Sequence, residues 1–177
     1  DNALVRRIFS EGAFSASGML IQNGRLYQAV AVPVLARDAV VGILITGYQI
    51  DDAAAAQLRS MTRSHISIVD ESDRVLVTTL TGRRAALSEA LATERPRLRA
   101  VRESGTNSSD FDLMIGGERY IAVAVPVLDV IRAAADTPAA GDAPETPAAP
   151  AMKPRVVGIT LLTRSLDEEL AFLRILY

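Results

Sequence analysis

Few side chains in this sequence are of types that could bind or transform a small molecule. An arginine-rich stretch, 83–102, offers guanidinium groups, which hold carboxylates through paired hydrogen bonds. Arg84 is the arginine that we select for such a contact, and Thr78 and Thr79, which end a predicted strand facing that helix, could supply hydroxyl groups. The commoner outcome for these residue types is structural: a solvated arginine face and ordinary strand threonines. The chemistry that they suggest is recognition of a small carboxylate.

Two tyrosines and one aspartate complete the set of candidate binding residues. Tyr27 and Tyr120 each begin a strand segment that contains a row of alanines, so their hydroxyls could meet a ligand at the rim of a sheet. The alternative is that the tyrosines and alanines simply complete the core. Asp110 precedes a further predicted strand, where a turn cap is a commoner role for aspartate than an ion site.

The residue types needed for catalysis do not converge anywhere in the sequence. His65 is the single histidine and begins a strand, so a Ser–His–Asp arrangement has no support. Gly116-Gly117 joins two strands, whereas a phosphate-binding glycine loop joins a strand to a helix. The absence of cysteine excludes disulfides, thiolate metal sites and a cysteine nucleophile. We therefore predict a non-catalytic domain with no metal and no cofactor.

Composition narrows the class of protein further. Hydrophobic residues make up 49% of the 177 residues and charged residues 23%, which predicts a globular domain with a sizeable core. A net charge of −2 gives no electrostatic reason to expect binding to nucleic acid or to an anionic membrane surface. No apolar run reaches the roughly 20 residues that span a bilayer. Because the sequence begins with aspartate, we interpret it as a piece of a longer protein.

One phrase occurs twice and organises the rest of the chain. Ala29–Leu35 is identical to Ala122–Leu128, at an offset of 93 residues. Further along, the sequence V-V-G-I at 40–43 recurs at 156–159, now 116 residues apart, so the second copy carries 23 extra residues. A match of this length and order indicates an internal repeat.

Hydrophobic patterning assigns a complete fold to the second copy and a partial fold to the first. Residues 65–164 predict the order β-β-α-β-β-β, an antiparallel five-stranded sheet with helix on one face, the helix being interrupted at Pro96. The first copy shows only the end of a helix, a hairpin with an Asn23-Gly24 turn, a third strand and an exit helix capped by Asp51 or Asp52. Either a missing segment or another chain would complete it.

The end of the chain predicts two features of a different kind. Residues 131–154 are rich in alanine and proline without an apolar period, which predicts a flexible loop inserted into the second copy. Ser165 to Glu168 forms a capping box that opens a last helix. Leu166, Leu170, Leu173 and Tyr177 form one stripe on that helix, which is typical of a dimer contact.

The tandem β-β-α-β-β-β order, with a helix leaving each copy, resembles the double Cache domains, the PAS-like sensor modules of bacterial membrane receptors. The resemblance rests on G-R-L-Y-Q-A-V-A-V-P-V-L-A at 24–36, on V-V-G-I-L-I-T-G-Y-Q-I-D-D at 40–52 and on V-T-T-L at 77–80. The sequence contains no tryptophan and does not match the aromatic–Arg–Asp constellation of the amino-acid-binding members.

The resemblance implies an α+β fold of tandem PAS-like Cache domains, with the first copy incomplete. It also implies a periplasmic location in an inner-membrane receptor, membrane helices outside this sequence, a homodimer through helices, and a cytoplasmic output domain of cyclase or kinase type. The expected division is 1–50 for the first Cache-like domain, 51–63 for a connecting helix, 64–164 for the second domain and 165–177 for a membrane-directed helix.

The function expected from this resemblance is ligand sensing. A small molecule, such as a carboxylate, would shift the final strand and the helix that follows it, and so signal to the output domain. Two other functions fit the same sequence: a dimerisation or interaction module whose pockets are filled by side chains, and a cytoplasmic GAF or PAS regulatory domain.

Overall fold

A computed structural model describes residues 3–11, 13–37, 39–129 and 155–165. The elements within these residues follow one another in the order α1 (Ala3–Glu11), β1 (Ala16–Gln22), β2 (Arg25–Ala36), β3 (Ala39–Ile50), α2 (Asp52–Thr62), β4 (His65–Asp70), β5 (Val75–Thr78), α3 (Arg84–Thr93), α4 (Arg95–Ser104), β6 (Phe111–Ile115), β7 (Glu118–Leu128) and β8 (Val156–Ser165).

The strands form two antiparallel sheets, which confirms the predicted α+β class. A three-stranded sheet has the order β1-β2-β3, and a five-stranded sheet has the order β5-β4-β8-β7-β6. Strand β4 pairs with β5 on one side and with β8 on the other, from His65 opposite Thr163 to Asp70 opposite Gly158. This is the sheet that the pattern of the second copy predicts.

The described residues divide into two compact units. The first unit comprises the described parts of Asp1–Leu20, Tyr27–Gln49 and Leu128–Arg155, and the second comprises those of Ile21–Leu26, Ile50–Val127 and Val156–Tyr177. The units therefore do not follow a single cut in the sequence, because the tip of the β1–β2 hairpin groups with the second unit.

The sequence repeat is also a structural repeat. Strands β1, β2 and β3 have the same order and connectivity as β6, β7 and β8, and α1 lies 93 residues before 96–104, which falls in α4. The two hairpin turns match as well: Asn23 and Gly24 have φ angles of 52° and 71°, and Gly116 and Gly117 have 59° and 85°. These positive angles are those of the tight turn that the Asn-Gly pair predicts.

Local sequence signals fix the ends of the helices. The side chain of Asp51 accepts a hydrogen bond of 2.9 Å from the backbone N–H of Ala54, so Asp51 is the N-cap of α2. Pro96 lies in the first turn of α4, where its missing N–H costs no helical hydrogen bond, and the helical stretch is split there into α3 and α4. Gly105 ends α4 in the left-handed conformation, with φ at 66°.

Each unit has its own apolar core. In the second unit, α3 and α4 pack on the sheet face that carries the alanines of β7. The first unit has a smaller core of the same kind, in which α1 packs on the alanines of β2. The large side chains of the second core are Leu80, Leu87, Leu91, Leu98, Phe111, Leu113, Ile115, Tyr120, Ile159 and Leu161. The alternative interpretation of the alanine rows, that they complete the core, is therefore the one that the structure supports.

Two of the element boundaries that differ from prediction have a physical reason in the structure. Alternation of apolar and polar residues predicts that the second strand of the 65–80 hairpin continues to Leu80, but β5 ends at Thr78. The hydroxyl of Thr78 accepts a 3.2 Å hydrogen bond from the N–H of Leu80 and turns the chain there. Strand β8 extends to Ser165, whose hydroxyl donates a hydrogen bond to the carboxylate of Glu118. Ser165 is thus the last residue of a strand.

The remaining predictions about the end of the chain fall on residues that the structure does not describe. Positions 131–154, predicted as a loop, and 166–177, predicted as a helix with a dimer stripe, lie outside the described residues. The residues that border the first of these segments are joined, since the N–H of Arg155 donates to the Asp129 side chain at 2.8 Å.

Candidate functional site

A pocket of about 380 Å³ lies in the second unit, between the first two turns of α2, the end of β5 and the start of α3. Helix α2 contacts both β4 and β5, while the loop after β5 leads directly into α3, so these elements converge beside the sheet edge. The lining residues are Asp52, Ala56, Arg59, Thr78, Thr79, Leu80, Thr81, Gly82 and Arg84. The pocket therefore includes three of the six residues proposed from sequence: Thr78, Thr79 and Arg84.

Asp52 is the acidic group of this pocket and connects α2 to the opposite wall. One of its oxygens, Oδ1, accepts a hydrogen bond of 2.9 Å from the backbone N–H of Thr78. Both of its oxygens face Nη2 of Arg84, at 3.5 Å and 3.4 Å. The bond to Thr78 is well formed, whereas the contacts to Arg84 are longer than the usual distance for a charge-assisted hydrogen bond.

Two arginines line the same pocket. Arg84 donates from Nη1 to the carbonyl oxygen of Val75 at 2.7 Å, which holds its guanidinium against the start of β5. Arg59 comes from α2 and lies seven residues after Asp52, so both lie on one face of that helix together with Ala56. The pocket thus contains two positive charges and one negative charge.

The two threonines have structural roles as well as a position at the pocket. The Thr78 hydroxyl lies 2.8 Å from that of Ser67 on the neighbouring strand. The Thr79 hydroxyl accepts from the N–H of Ile66 at 2.9 Å. Both threonines are buried, and these bonds continue the β4–β5 pairing where the regular strand ends.

The other three candidate residues are not among those that line the pocket. Tyr120 is only 3% exposed, and its hydroxyl accepts a 2.8 Å hydrogen bond from Nη1 of Arg83. Its ring meets the edge of the His65 ring at a centroid distance of 6.2 Å. Tyr27 is half-buried in β2 of the first sheet, and Asp110 is exposed before β6. Within the second unit, neither Tyr120 nor Asp110 forms a hydrogen bond with Arg59 or Arg84.

A polar cluster extends from the loop beside the pocket to the end of β8. Arg83 precedes the pocket residue Arg84 in sequence and pairs with the carboxylate of Glu118. Glu118 also accepts from the hydroxyl of Ser165. The hydrogen bond from Ser165, followed by that from Arg83, lowers the pKa of Glu118 below its ordinary value. Residues 83 and 84 therefore connect the pocket to the last described residue of the sheet.

Most of the remaining arginines in 83–102 have partners outside the pocket. Arg102 pairs with Asp73 and donates to the carbonyl oxygen of Asp70. Arg97 lies over the ring of Phe111, with its guanidinium carbon 4.4 Å from the ring centroid. Arg99 pairs with Glu103 at 2.9 Å on the same helix. These contacts are structural, so the basic stretch is mainly an ion-paired surface.

Sequence reasoning missed the part of the pocket that α2 supplies. Asp52 was predicted only as an alternative helix cap, and Arg59 was not considered. The available signal was their spacing with Ala56, which places all three on one helical face. That signal does not by itself say which strand the face meets.

Within the part of the chain that the structure describes, no group of three or more His, Cys, Asp or Glu side chains is placed to bind a metal ion. None of the helices in these residues combines the length and the apolar character that crossing a membrane requires.

Comparison with known proteins agrees with the fold. Residues 4–134 match the family dCache_3, described as the double sensory domain of two-component sensor kinases. Among solved structures, the ligand-binding domain of the Campylobacter jejuni chemoreceptor Tlp3, in complex with 4-methylisoleucine, aligns with a TM-score of 0.43 and 7% identity. That alignment covers 86% of this chain and 48% of the other, so the chain spans about half the length of the chemoreceptor domain. No curated protein matches. Because the family match covers most of the sequence, the chain belongs to the double Cache family of sensory domains.

Proposed function

We propose that this chain is the ligand-sensing part of a bacterial transmembrane signalling receptor, and that its ligand binds in the pocket between α2, β5 and α3. The sensory class follows from the family. The observation that carries the ligand site is the pocket itself, whose volume of about 380 Å³ suits a small molecule and whose wall presents charged groups from two helices.

The proposal places the chain on the extracytoplasmic side of the membrane. In this arrangement, 1–50 belongs to a first Cache-like domain, 51–63 connects the domains, 64–164 forms the second domain and 165–177 leads to the membrane. A homodimer through helices and a cytoplasmic output domain complete the proposed receptor. The chain would then have no catalytic role of its own.

Signal transmission in this proposal starts at the loop between β5 and α3. A ligand that contacts Arg84 also changes the environment of Arg83, which is bonded to Glu118 and Tyr120. Glu118 is bonded in turn to Ser165, at the end of β8. The ligand shifts the domain between two arrangements only to the extent that it binds one of them more tightly.

The proposal is tested by a thermal-shift screen of the purified chain. Small carboxylates, amines and neutral compounds are each added at millimolar concentration. A bound ligand at about 100 times its dissociation constant stabilises the folded state by about 2.7 kcal/mol, which raises the melting temperature by several degrees. At least one class should produce such a shift in the wild-type chain. A flat response across all three classes would contradict ligand sensing by this domain.

One observation favours the second candidate function, a dimerisation or interaction module that binds no small molecule. The alanine-bearing face of the second sheet, where a ligand could have found space, is filled by side chains of α3 and α4. A flat thermal-shift response together with dimer formation would support this alternative. Sedimentation of the same sample decides whether a dimer is present.

A further inference from the structure

We propose that the pocket binds a small carboxylate between Arg59 and Arg84, and that Asp52 occupies the place of that carboxylate when no ligand is present. The ligand would displace Asp52 from Arg84 and so release the first turn of α2 from the end of β5. This inference rests on the proposed function, since it identifies the ligand class and the switch of the same pocket.

The charges of the pocket favour an anion. Arg59 and Arg84 supply two guanidinium groups, and Asp52 is the one acidic group in the lining. A cation entering this space would meet two like charges, while the single carboxylate is already hydrogen-bonded to the N–H of Thr78. An anion would meet two attractive charges and one repulsive charge, and it relieves the repulsion when Asp52 turns away.

The hydrogen-bonding capacity of Arg84 is only partly used. Nη1 is committed to the carbonyl oxygen of Val75 at 2.7 Å, whereas the contacts from Nη2 to Asp52 are 3.4 Å and 3.5 Å. The side chains of Arg84 and Asp52 are 46% and 59% exposed, so this ion pair is open to solvent. A pair with this geometry and exposure contributes little and is readily replaced by a better-placed carboxylate.

Arg59 supplies the second contact. Its guanidinium forms no hydrogen bond or ion pair with the residues that the structure describes, and it lines the pocket two turns along α2 from Asp52. A carboxylate between Arg59 and Arg84 would therefore join α2 to α3 directly. The present link between these helices runs through Asp52, and Asp52 also holds α2 to β5 through Thr78.

Displacement of Asp52 changes two physical connections at once. The first turn of α2 loses its hydrogen bond to the N–H of Thr78, while the last turn of α2 gains an ion pair to the ligand through Arg59. Helix α2 consequently loses its link to the sheet edge, and its link to α3 passes from Asp52 to the ligand. This exchange gives the ligand different affinities for the two arrangements, which a sensor requires.

The main test measures binding of propionate to the purified chain by calorimetry at low ionic strength. Arg59→Gln should weaken the binding about tenfold, which corresponds to about 1.4 kcal/mol. Asp52→Asn should strengthen it several-fold, because the amide retains the acceptor for Thr78 while removing the competing charge. Arg99→Gln removes an exposed arginine that pairs with Glu103 on α4, so it serves as the matched control and should leave binding unchanged.

Comparison of probes distinguishes the forms of the ligand and the two proposals. Propionate and alanine share a carboxylate, and alanine adds an ammonium group that could donate a hydrogen bond to Asp52. Binding of either compound supports the carboxylate site. If ethylamine or a neutral compound alone raises the melting temperature, the inference fails and the proposed function stands. If no compound does so, the proposed function itself fails.

A second measurement reports the displacement directly. Hydrogen exchange of the Thr78 amide should become faster when propionate binds, because its acceptor on Asp52 leaves. In the Asp52→Asn variant, the difference between free and bound chain should be smaller. Slower or unchanged exchange at Thr78 in the bound wild-type chain, or weaker propionate binding by Asp52→Asn, would overturn the switch.

Discussion

Strands β3 and β8 are equivalent in the repeat but differ in their surroundings. Both carry the sequence V-V-G-I, 116 residues apart. Strand β8 lies between β4 and β7, and its Leu161 is 0% exposed. The equivalent residue of β3 is Ile45, which is 39% exposed, since β3 has only β2 beside it among the described residues. The pair shows that burial of a strand is set by its neighbours and not by its own sequence.

The glycines of the two copies show the same difference at atomic scale. A Cβ atom on Gly158 would lie 2.6 Å from the carbonyl oxygen of Val69, because β4 approaches β8 closely there. A Cβ atom on Gly42, the equivalent of Gly158, would meet no atom within 4 Å. The repeat has kept the glycine in both copies, while the described structure requires it in only one.

The composition of β3 is that of a strand with neighbours on both sides. Residues 39–50 contain no charged residue and no proline, which are the usual means of protecting an exposed edge. Val41, Leu44 and Tyr48 are all exposed. This agrees with the expectation that a missing segment or another chain completes the first copy, and that expectation stays a prediction.

The largest difference between the copies is expected from truncating the equivalent core positions. Leu161→Ala should lower the free energy of unfolding by about 2–5 kcal/mol, because it leaves a cavity in a closed core. Ile45→Ala should cost less than about 1 kcal/mol, since the side chain is already partly hydrated. Urea denaturation followed by circular dichroism measures both. Equal losses would mean that β3 is covered in solution.

The glycine comparison is expected to give the next largest effect. Gly158→Ala should destabilise the chain by about 1–3 kcal/mol, because β4 must move to accept the methyl group. Gly42→Ala should be neutral or slightly stabilising, since an added Cβ restricts the unfolded chain and meets no atom in the folded one. The same denaturation measurement applies. A cost at Gly42 comparable to that at Gly158 would reveal a strand packed against β3.

Replacing the two equivalent tyrosines by phenylalanine should give a smaller difference in the free energy of unfolding. Tyr120→Phe removes the acceptor of the Arg83 hydrogen bond inside the second unit and should cost about 0.5–1.5 kcal/mol. Tyr27→Phe should change stability by less than about 0.5 kcal/mol, as expected for a residue outside such a network. Thermal melting of the two variants against wild type tests this. A larger loss for Tyr27→Phe would contradict the proposed difference.

The smallest expected difference is in the pH dependence of stability. The pKa of Glu118 is lowered from its ordinary value of 4.5 by the hydrogen bonds from Ser165 and Arg83. Its stabilising contribution is therefore present above pH 4.5 and is lost as the pH falls through the lowered pKa of the folded state. The equivalent position of the first copy is Arg25, so the first copy has no carboxylate there.

Melting curves between pH 3 and pH 7 test this expectation. The stability difference between wild type and Glu118→Gln should shrink towards acid pH, where the wild-type carboxylate becomes protonated. A difference that stays constant over this range would contradict the assigned role of Glu118.

Local features were predictable because they depend on residues close in sequence. The Asn23-Gly24 turn and the break at Pro96 each depend on a few neighbouring residues and occur as predicted, and of the two predicted caps of α2, Asp51 and Asp52, the structure has Asp51. Hydrophobic patterning predicted the succession of strands and helix in the second copy, whereas the order of the strands within the sheet came from the structure. The predicted end of β5 was wrong because a side chain, the Thr78 hydroxyl, bonds to the backbone there. Hydrophobic periodicity does not detect hydrogen bonds of this kind.

The sequence by itself determined the repeat, the elements and the family, since these depend on pattern and on short-range turn and cap chemistry. Only the tertiary structure decided which residues form the pocket and which alanine faces are filled. Asp52 meets Thr78 and Arg84, which lie 26 and 32 positions further along the chain, and no periodicity links residues so far apart. Contacts of this kind exist only after α2 has packed beside β5, so the site is a product of packing.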